Sequence, residues 1–341
     1  MQRTGPVYLK LVLTTFFWGG TFVAGKWAVG EAPPFFVAFL RFAIASVVLW
    51  ALVAWRGRGG SGERFPLPNG GAQWAGLFSL GLTGVFLYNF VFLTGLSWTS
   101  ATNGSLIVAF NPTLTAVLSA WWLKERVRSV QAGGLLLALL GVGVVITRGS
   151  VDVIRSLSFN PGDLLMLAAP LAWALYTILG KMVLARFPPL VATAYASLFG
   201  TLLLLPAAAI EGSLLTGATR LSVYGWIAVL QLALLGTVVG FVWWYEGVER
   251  LGASRAAVFV NLVPLFGVLL SALILSESLM VSQLAGGILV VAGVGIGTLG
   301  DREDRDGASG GATGRPRPSP LTSTCRKRSQ SPSSRPIRSP P

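Results

Sequence analysis

The stretch W-G-G-T-F-V-A-G-K at residues 18–26 returns 155 residues later as W-A-L-Y-T-I-L-G-K at 173–181, so the spacing W-x6-G-K occurs twice. The same shift lays Pro33 and Pro34 on Pro188 and Pro189. A shift of 152 then lays Trp74 on Trp226, Gly84 on Gly236, Gly95 on Gly247, Ala101 on Ala253 and Pro112 on Pro264. It continues without a gap through Leu123 on Leu275, Glu125 on Glu277, Gln131 on Gln283, Gly141 on Gly293 and Gly143 on Gly295. Chance matches of Leu or Ala are cheap in an apolar chain, but matched Trp, Pro, Glu and Gln are not. The chain is an internal repeat in two copies.

Each copy carries five apolar runs bounded by Gly, Pro or charged residues. They predict ten helices, at 8–29, 34–55, 72–95, 100–123, 129–147, 161–182, 188–210, 223–248, 253–276 and 281–299. Only 11% of residues are charged and 53% are hydrophobic, against roughly 25% charged in an average soluble domain. Runs of about 20 apolar residues match a bilayer core, and lipid leaves backbone groups no partner outside their own segment. The expected fold class is therefore an all-α polytopic membrane protein: one five-helix repeat at 8–147 and a second at 161–299. Because five is odd, the second copy enters the membrane from the opposite side. A pseudo-twofold axis in the membrane plane then relates the two, an arrangement that suits alternating access. Residues 300–341 are rich in Arg, Ser, Pro and Gly, which cannot form a core and are expected to be a disordered cytoplasmic tail.

The net charge of +13 is a matter of placement, since nine of the 26 basic residues lie beyond residue 300. Of the others, twelve flank one set of alternate helix ends and four flank the opposite set. That bias reads as topology, with both termini cytoplasmic in a cell inner (plasma) membrane, and not as a nucleic-acid surface. Glu125 is then expected to face the cytoplasm and Glu277 the exterior, both as helix-end charges. The first apolar run is too long for a signal-peptide core and reads as the first span. There is no histidine, and the single cysteine, Cys325, lies in the tail. No metal site, cofactor or histidine-based catalysis is expected.

The strings W-G-G-T-F-V-A-G-K, L-R-F at 40–42, N-P-T-L-T-A-V-L-S-A-W-W-L-K-E-R at 111–126 and V-P-L-F-G-V-L-L-S-A-L-I-L-S-E at 263–277 resemble the EamA-type permeases of the drug/metabolite transporter superfamily. The resemblance covers about residues 8–299. It implies a transporter without naming its cargo, because that superfamily handles amino acids, sugars, nucleotide sugars, cofactors and toxic compounds. The chain departs from the superfamily's small multidrug exporters, whose first helix carries an acid where this one has Trp18 and neutral neighbours.

Trp18 and Trp173 fall near the bilayer midplane, the wrong depth for an interfacial aromatic belt. Thr14, Trp18, Thr21 and Gly25 share one helical face, as do Ala169, Trp173, Tyr176, Thr177 and Gly180. Such stripes suit a polar cavity, though helix packing alone also produces them. Pro112 and Pro264 fall mid-helix beside Asn111 and Asn261, where a lost backbone bond frees a carbonyl toward a pathway, or merely kinks the helix. Arg41 is a charge inside the second helix, placed to pair with a substrate carboxylate, to hold a neighbouring helix, or to snorkel outward. Lys26 and Lys181 lie nearer helix ends and read as snorkelling anchors. No acid sits mid-membrane, so no carboxylate proton relay is expected.

The expected function is a carrier, working in the export direction, for a small neutral or zwitterionic metabolite such as an amino acid. Its cavity would be lined by the first, third, fourth, sixth, eighth and ninth helices. Trp18, Trp173, Tyr176, Asn111 and Asn261 form its wall, with Tyr88, Asn89 and Gln231 behind them, and Pro112, Pro264 and Arg41 act in gating. Its partners are the small-molecule substrate and membrane lipid. A passive channel and a membrane-embedded enzyme on a lipid-linked substrate are the alternatives, the second disfavoured by the missing histidine.

Overall fold

A computed structural model describes residues 5–58, 67–111, 114–115, 118, 129–156, 159–212, 214, 216–251 and 259–310. All regular elements among them are helical. α1 is Gly5–Glu31 and α2 is Pro34–Arg58. α3 runs as Gly71–Leu80, a π-helical Gly81–Leu87, and Tyr88–Trp98. α4 is Ala101–Val108, α5 is Ser129–Ile146 and α6 is the short Val151–Ser156. α7 comprises Pro161–Met166 and Ala168–Val183, α8 is Pro189–Ile210 and α9 is Gly217–Arg220. α10 runs as Val223–Leu230, a π-helical Gln231–Val239, and Gly240–Leu251. α11 is Leu262–Ile274 and α12 is Val281–Gly310, past the end expected at 299. Residues 311–341, most of the expected tail, lie outside the described residues, as do Pro112 and Glu125.

Among the described residues six helices are long and apolar enough to cross a membrane: Pro6–Glu31, Pro34–Gly57, Gly71–Trp98, Pro161–Val183, Pro189–Ile210 and Val223–Gly247. Their outer faces leave large apolar side chains uncovered, including Val47, Trp55, Leu202 and Ile227. Surfaces of this kind are stable in lipid and not in water. The helices begin where local chemistry directs. Pro34 and Pro161 occupy first-turn positions, where a missing N–H costs nothing, and Ser100, Asn160 and Ser222 accept from Asn103 N, Gly162 N and Gly225 N as N-caps.

α1 is the central element and packs on α3, α4, α10 and α11, while α8 lies along α2. Close approach depends on missing side chains. A Cβ on Gly19 would stand 2.6 Å from that of Phe266 in α11, and one on Gly141 would stand 2.6 Å from the Gly286 carbonyl oxygen in α12. Backbone on backbone is the packing that small residues permit within membranes.

Several contacts join repeat-mates reciprocally. Gly141 meets Gly286, and Gly293 meets Gly134, each pair being the other shifted by 152. Gly236 is filled by Thr21 and Gly84 by Tyr176, where Thr21 and Tyr176 are mates at 155. Ser46 Oγ lies 3.2 Å from the hydroxyl of its own mate, Thr201. The two π-helical segments also overlap at the 152 shift.

Candidate functional site

Trp18 stands midway along α1, thirteen residues from either end. Its indole meets that of Trp173 edge to face, with ring centroids 5.3 Å apart. Trp18 also meets Trp244 at 5.4 Å, and Trp173 meets Tyr88 at 5.3 Å and Phe241 at 5.5 Å. The cluster is oriented by one polar bond: Trp18 Nε1 donates to the Gly236 carbonyl oxygen at 3.0 Å. Gly236 lies in the π-helical part of α10, where a widened turn and an absent side chain bring its backbone to α1.

Beside these rings is a small cavity of about 40 Å³, lined by Trp18, Thr21, Arg41, Tyr88, Asn111, Trp173 and Phe241 with apolar neighbours. Six of the residues singled out from sequence, Thr21 of the first stripe among them, therefore meet here. α2 joins the wall through Arg41, in addition to the helices expected. Tyr176 is packed behind Trp173, at 5.3 Å between ring centroids, and is 1% exposed. Asn261 occupies a turn between the lining residues Val260 and Val263 without lining the cavity itself. That turn precedes Pro264, which lies in the first turn of α11, so the helix is interrupted ahead of the proline and not at it. Gln231 is elsewhere, donating through Nε2 to the Phe17 carbonyl oxygen at 3.0 Å.

Arg41 is 4% exposed and does not snorkel. Its Nε donates to Thr237 Oγ1 at 2.9 Å and its Nη1 to Asn89 Oδ1 at 3.1 Å. Both acceptors are aimed by the backbone, since Thr237 Oγ1 donates to Leu232 O and Asn89 Nδ2 to Val85 O. The guanidinium carbon also lies 4.9 Å from the centre of the Phe42 ring. Among the described residues no carboxylate stands within ion-pairing distance of it. A charge at such depth costs about 2.5–3.5 kcal/mol on insertion scales, so neutral hydrogen bonds and a ring face carry what an acid usually would.

A second, larger hollow of about 530 Å³ lies at one end of the bundle, around Lys26, Asn103, Arg148, Glu277 and Gln283. Lys26 Nζ donates to the carbonyl oxygens of Leu96 and Thr99 at the end of α3, and so is a clasp and not a snorkelling anchor. Buried Asp163 accepts from Thr99 Oγ1 and from Asn103 Nδ2. Asn103 Oδ1 in turn accepts from Gln283 Nε2 at 2.7 Å. Ser276, at φ 53, turns the chain so that Glu277 accepts from Ala101 N and Thr102 N at 2.9 and 3.0 Å, capping α4. Asp163, Asn103 and Thr99 carry no repeated motif, and sequence reading passed over them.

A bundle with an apolar outer face, six membrane-length helices and buried polar groups inside is a multi-pass membrane protein. The chain belongs to the EamA-like transporter family, whose model matches residues 5–147 and 160–298. It is 33% identical over 288 residues to the uncharacterized transporter YyaM of Bacillus subtilis, covering 84% of this chain and 92% of that one. An uncharacterized transporter of Archaeoglobus fulgidus is 33% identical over 290 residues, covering 84% and 95%. The probable terminal-alkyne amino-acid exporter of Streptantibioticus cattleyicolor is 28% identical over 298 residues, covering 86% and 95%. One solved crystal structure matches with a TM-score of 0.60 at 23% identity, covering 87% of this chain and 98% of its own, which shows a shared fold. The protein is a membrane transporter.

Proposed function

We propose that the protein is a carrier that moves a small zwitterionic or neutral metabolite, an amino acid first among them, by alternating access around the cavity between Trp18 and Trp173. The observation that carries this reading is the contact of those two indoles, repeat-mates from different halves, at the wall of a buried cavity. The reciprocal pairs Gly141·Gly286 with Gly293·Gly134, and Gly236·Thr21 with Gly84·Tyr176, support two inverted five-helix halves. Two halves of that kind exchange inward-open and outward-open states by swapping conformations. The loop charges support cytoplasmic termini in a plasma membrane, and the name of the relative from Streptantibioticus cattleyicolor supports export.

The small volume of the cavity, about 40 Å³, favours a carrier over a channel. Reconstitution in proteoliposomes tests this with a screen of labelled amino acids and related metabolites. A carrier shows saturable counterflow, which Trp18→Ala and Asn111→Ala reduce at least tenfold. Unchanged flux in both variants removes this cavity from the pathway, and unitary currents in a planar bilayer replace the carrier with a channel.

A further inference from the structure

We propose that Arg41 binds a carboxylate group of the transported molecule, and that the cavity around it is polar on one side and apolar on the other. It therefore takes an amphipathic carboxylate, either an apolar amino acid or the corresponding simple acid, in one orientation. This rests on reading the cavity as the transport site.

The guanidinium is a buried cation at a cavity wall whose lining holds no acid among the described residues, and five acids of the bundle have partners of their own. Glu31 accepts from Ser222, Asp163 from Thr99 and Asn103, Glu211 from the backbone of Phe36, Glu246 from Lys10, and Glu277 from Ala101 and Thr102. A guanidinium has five N–H donors in a planar fork suited to carboxylate. Two of them are used by Thr237 and Asn89, which leaves three for a ligand. Both acceptors are neutral, so they hold the fork without cancelling its charge.

The repeat supplies an internal comparison. The mate of Arg41 at the 155 shift is Ala196, and the mates of Thr237 and Asn89 at 152 are Val85 and Phe241. A polar triad, Arg41 and Asn89 from the first half with Thr237 from the second, thus corresponds to three apolar mates, and Phe241 itself lines the cavity. Pseudo-symmetric walls with unlike chemistry bind the two ends of an unsymmetrical molecule differently. A carboxylate goes to Arg41, and an apolar group goes to the side of Phe241 and Trp173. Those ring faces also receive an ammonium group by cation–π attraction. At about 40 Å³ the space is little more than one water's share of liquid volume, so the rings must part before such a molecule enters.

The test uses the full-length protein in proteoliposomes with L-alanine, L-leucine and L-phenylalanine, each beside its carboxamide and its desamino acid. Tryptophan fluorescence reports binding, since Trp18 and Trp173 lie in the wall. The wild type is expected to bind carboxylates at least tenfold tighter than the matching amides, and the desamino arm separates amino acids from simple acids. Arg41→Met is expected to bring that ratio to about one. The proposal is overturned if the wild type binds no carboxylate or prefers none, or if Arg41→Met keeps the ratio. Where Arg41→Met does not fold, Arg41→Lys decides: a reduced ratio supports the proposal and an unchanged one overturns it. Carboxylate-selective binding with no flux of any solute sinks the carrier reading alone. Flux indifferent to the carboxylate sinks this proposal alone.

Discussion

The two hollows in this bundle differ in a way that volume conceals. The end cleft, about 530 Å³, is rich in charged and polar groups, yet its principal ones are already engaged. Lys26 clasps carbonyl oxygens, Asp163 takes Thr99 and Asn103, and Glu277 caps α4. The midplane cavity, about 40 Å³, holds one buried cation with donors to spare. Satisfied polar groups build structure, whereas a buried group with unused hydrogen-bonding capacity is costly unless something else uses it. The small cavity is the better candidate for a ligand, and the cleft for a clasp that ties α3, α4, α7 and α12 together.

Truncation separates these roles. Trp18→Ala empties the centre of the aromatic cluster and is expected to cost about 3–5 kcal/mol, with flux lost; thermal melting and counterflow read both. A variant that melts like the wild type and still transports would break the comparison at its strong end. Asp163→Ala strands the Thr99 hydroxyl and the Asn103 amide and is expected to cost about 1–3 kcal/mol, while binding of L-leucine stays within twofold. A tenfold weaker affinity there would move the cleft into the binding site. Glu277→Gln weakens the cap on α4 by about 1 kcal/mol, seen as a small fall in melting temperature at constant affinity. Gly30→Ala is the smallest change, because an added methyl meets nothing within 4 Å. It is expected to leave transport alone and to gain up to about 1 kcal/mol of helix stability.

Much of this arrangement was legible in the sequence, for physical reasons. Matched Trp, Pro and Gly mark positions where the backbone or a large ring has few alternatives, so the repeat located the Trp18–Trp173 contact. Arg41 stood out because charge inside an apolar helix needs a partner. Gln231 is expected behind the wall, but at the start of the π-helical segment its amide turns to the Phe17 carbonyl oxygen in α1, a contact that exists only after α1 and α10 have packed. The cleft escaped notice because Thr99, Asn103 and Asp163 come from the ends of separate helices. Such a network exists only after those ends are brought together.

The crossing of α5 and α12 has a mechanical consequence. Gly141 and Gly286 place main chain against main chain, with the buried side chains of Val290 and Val145 seated over the two glycines. Their mates, Gly293 and Gly134, repeat the contact. A bulky residue at Gly141 would force these two helices apart while leaving the cavity beside Trp18 untouched.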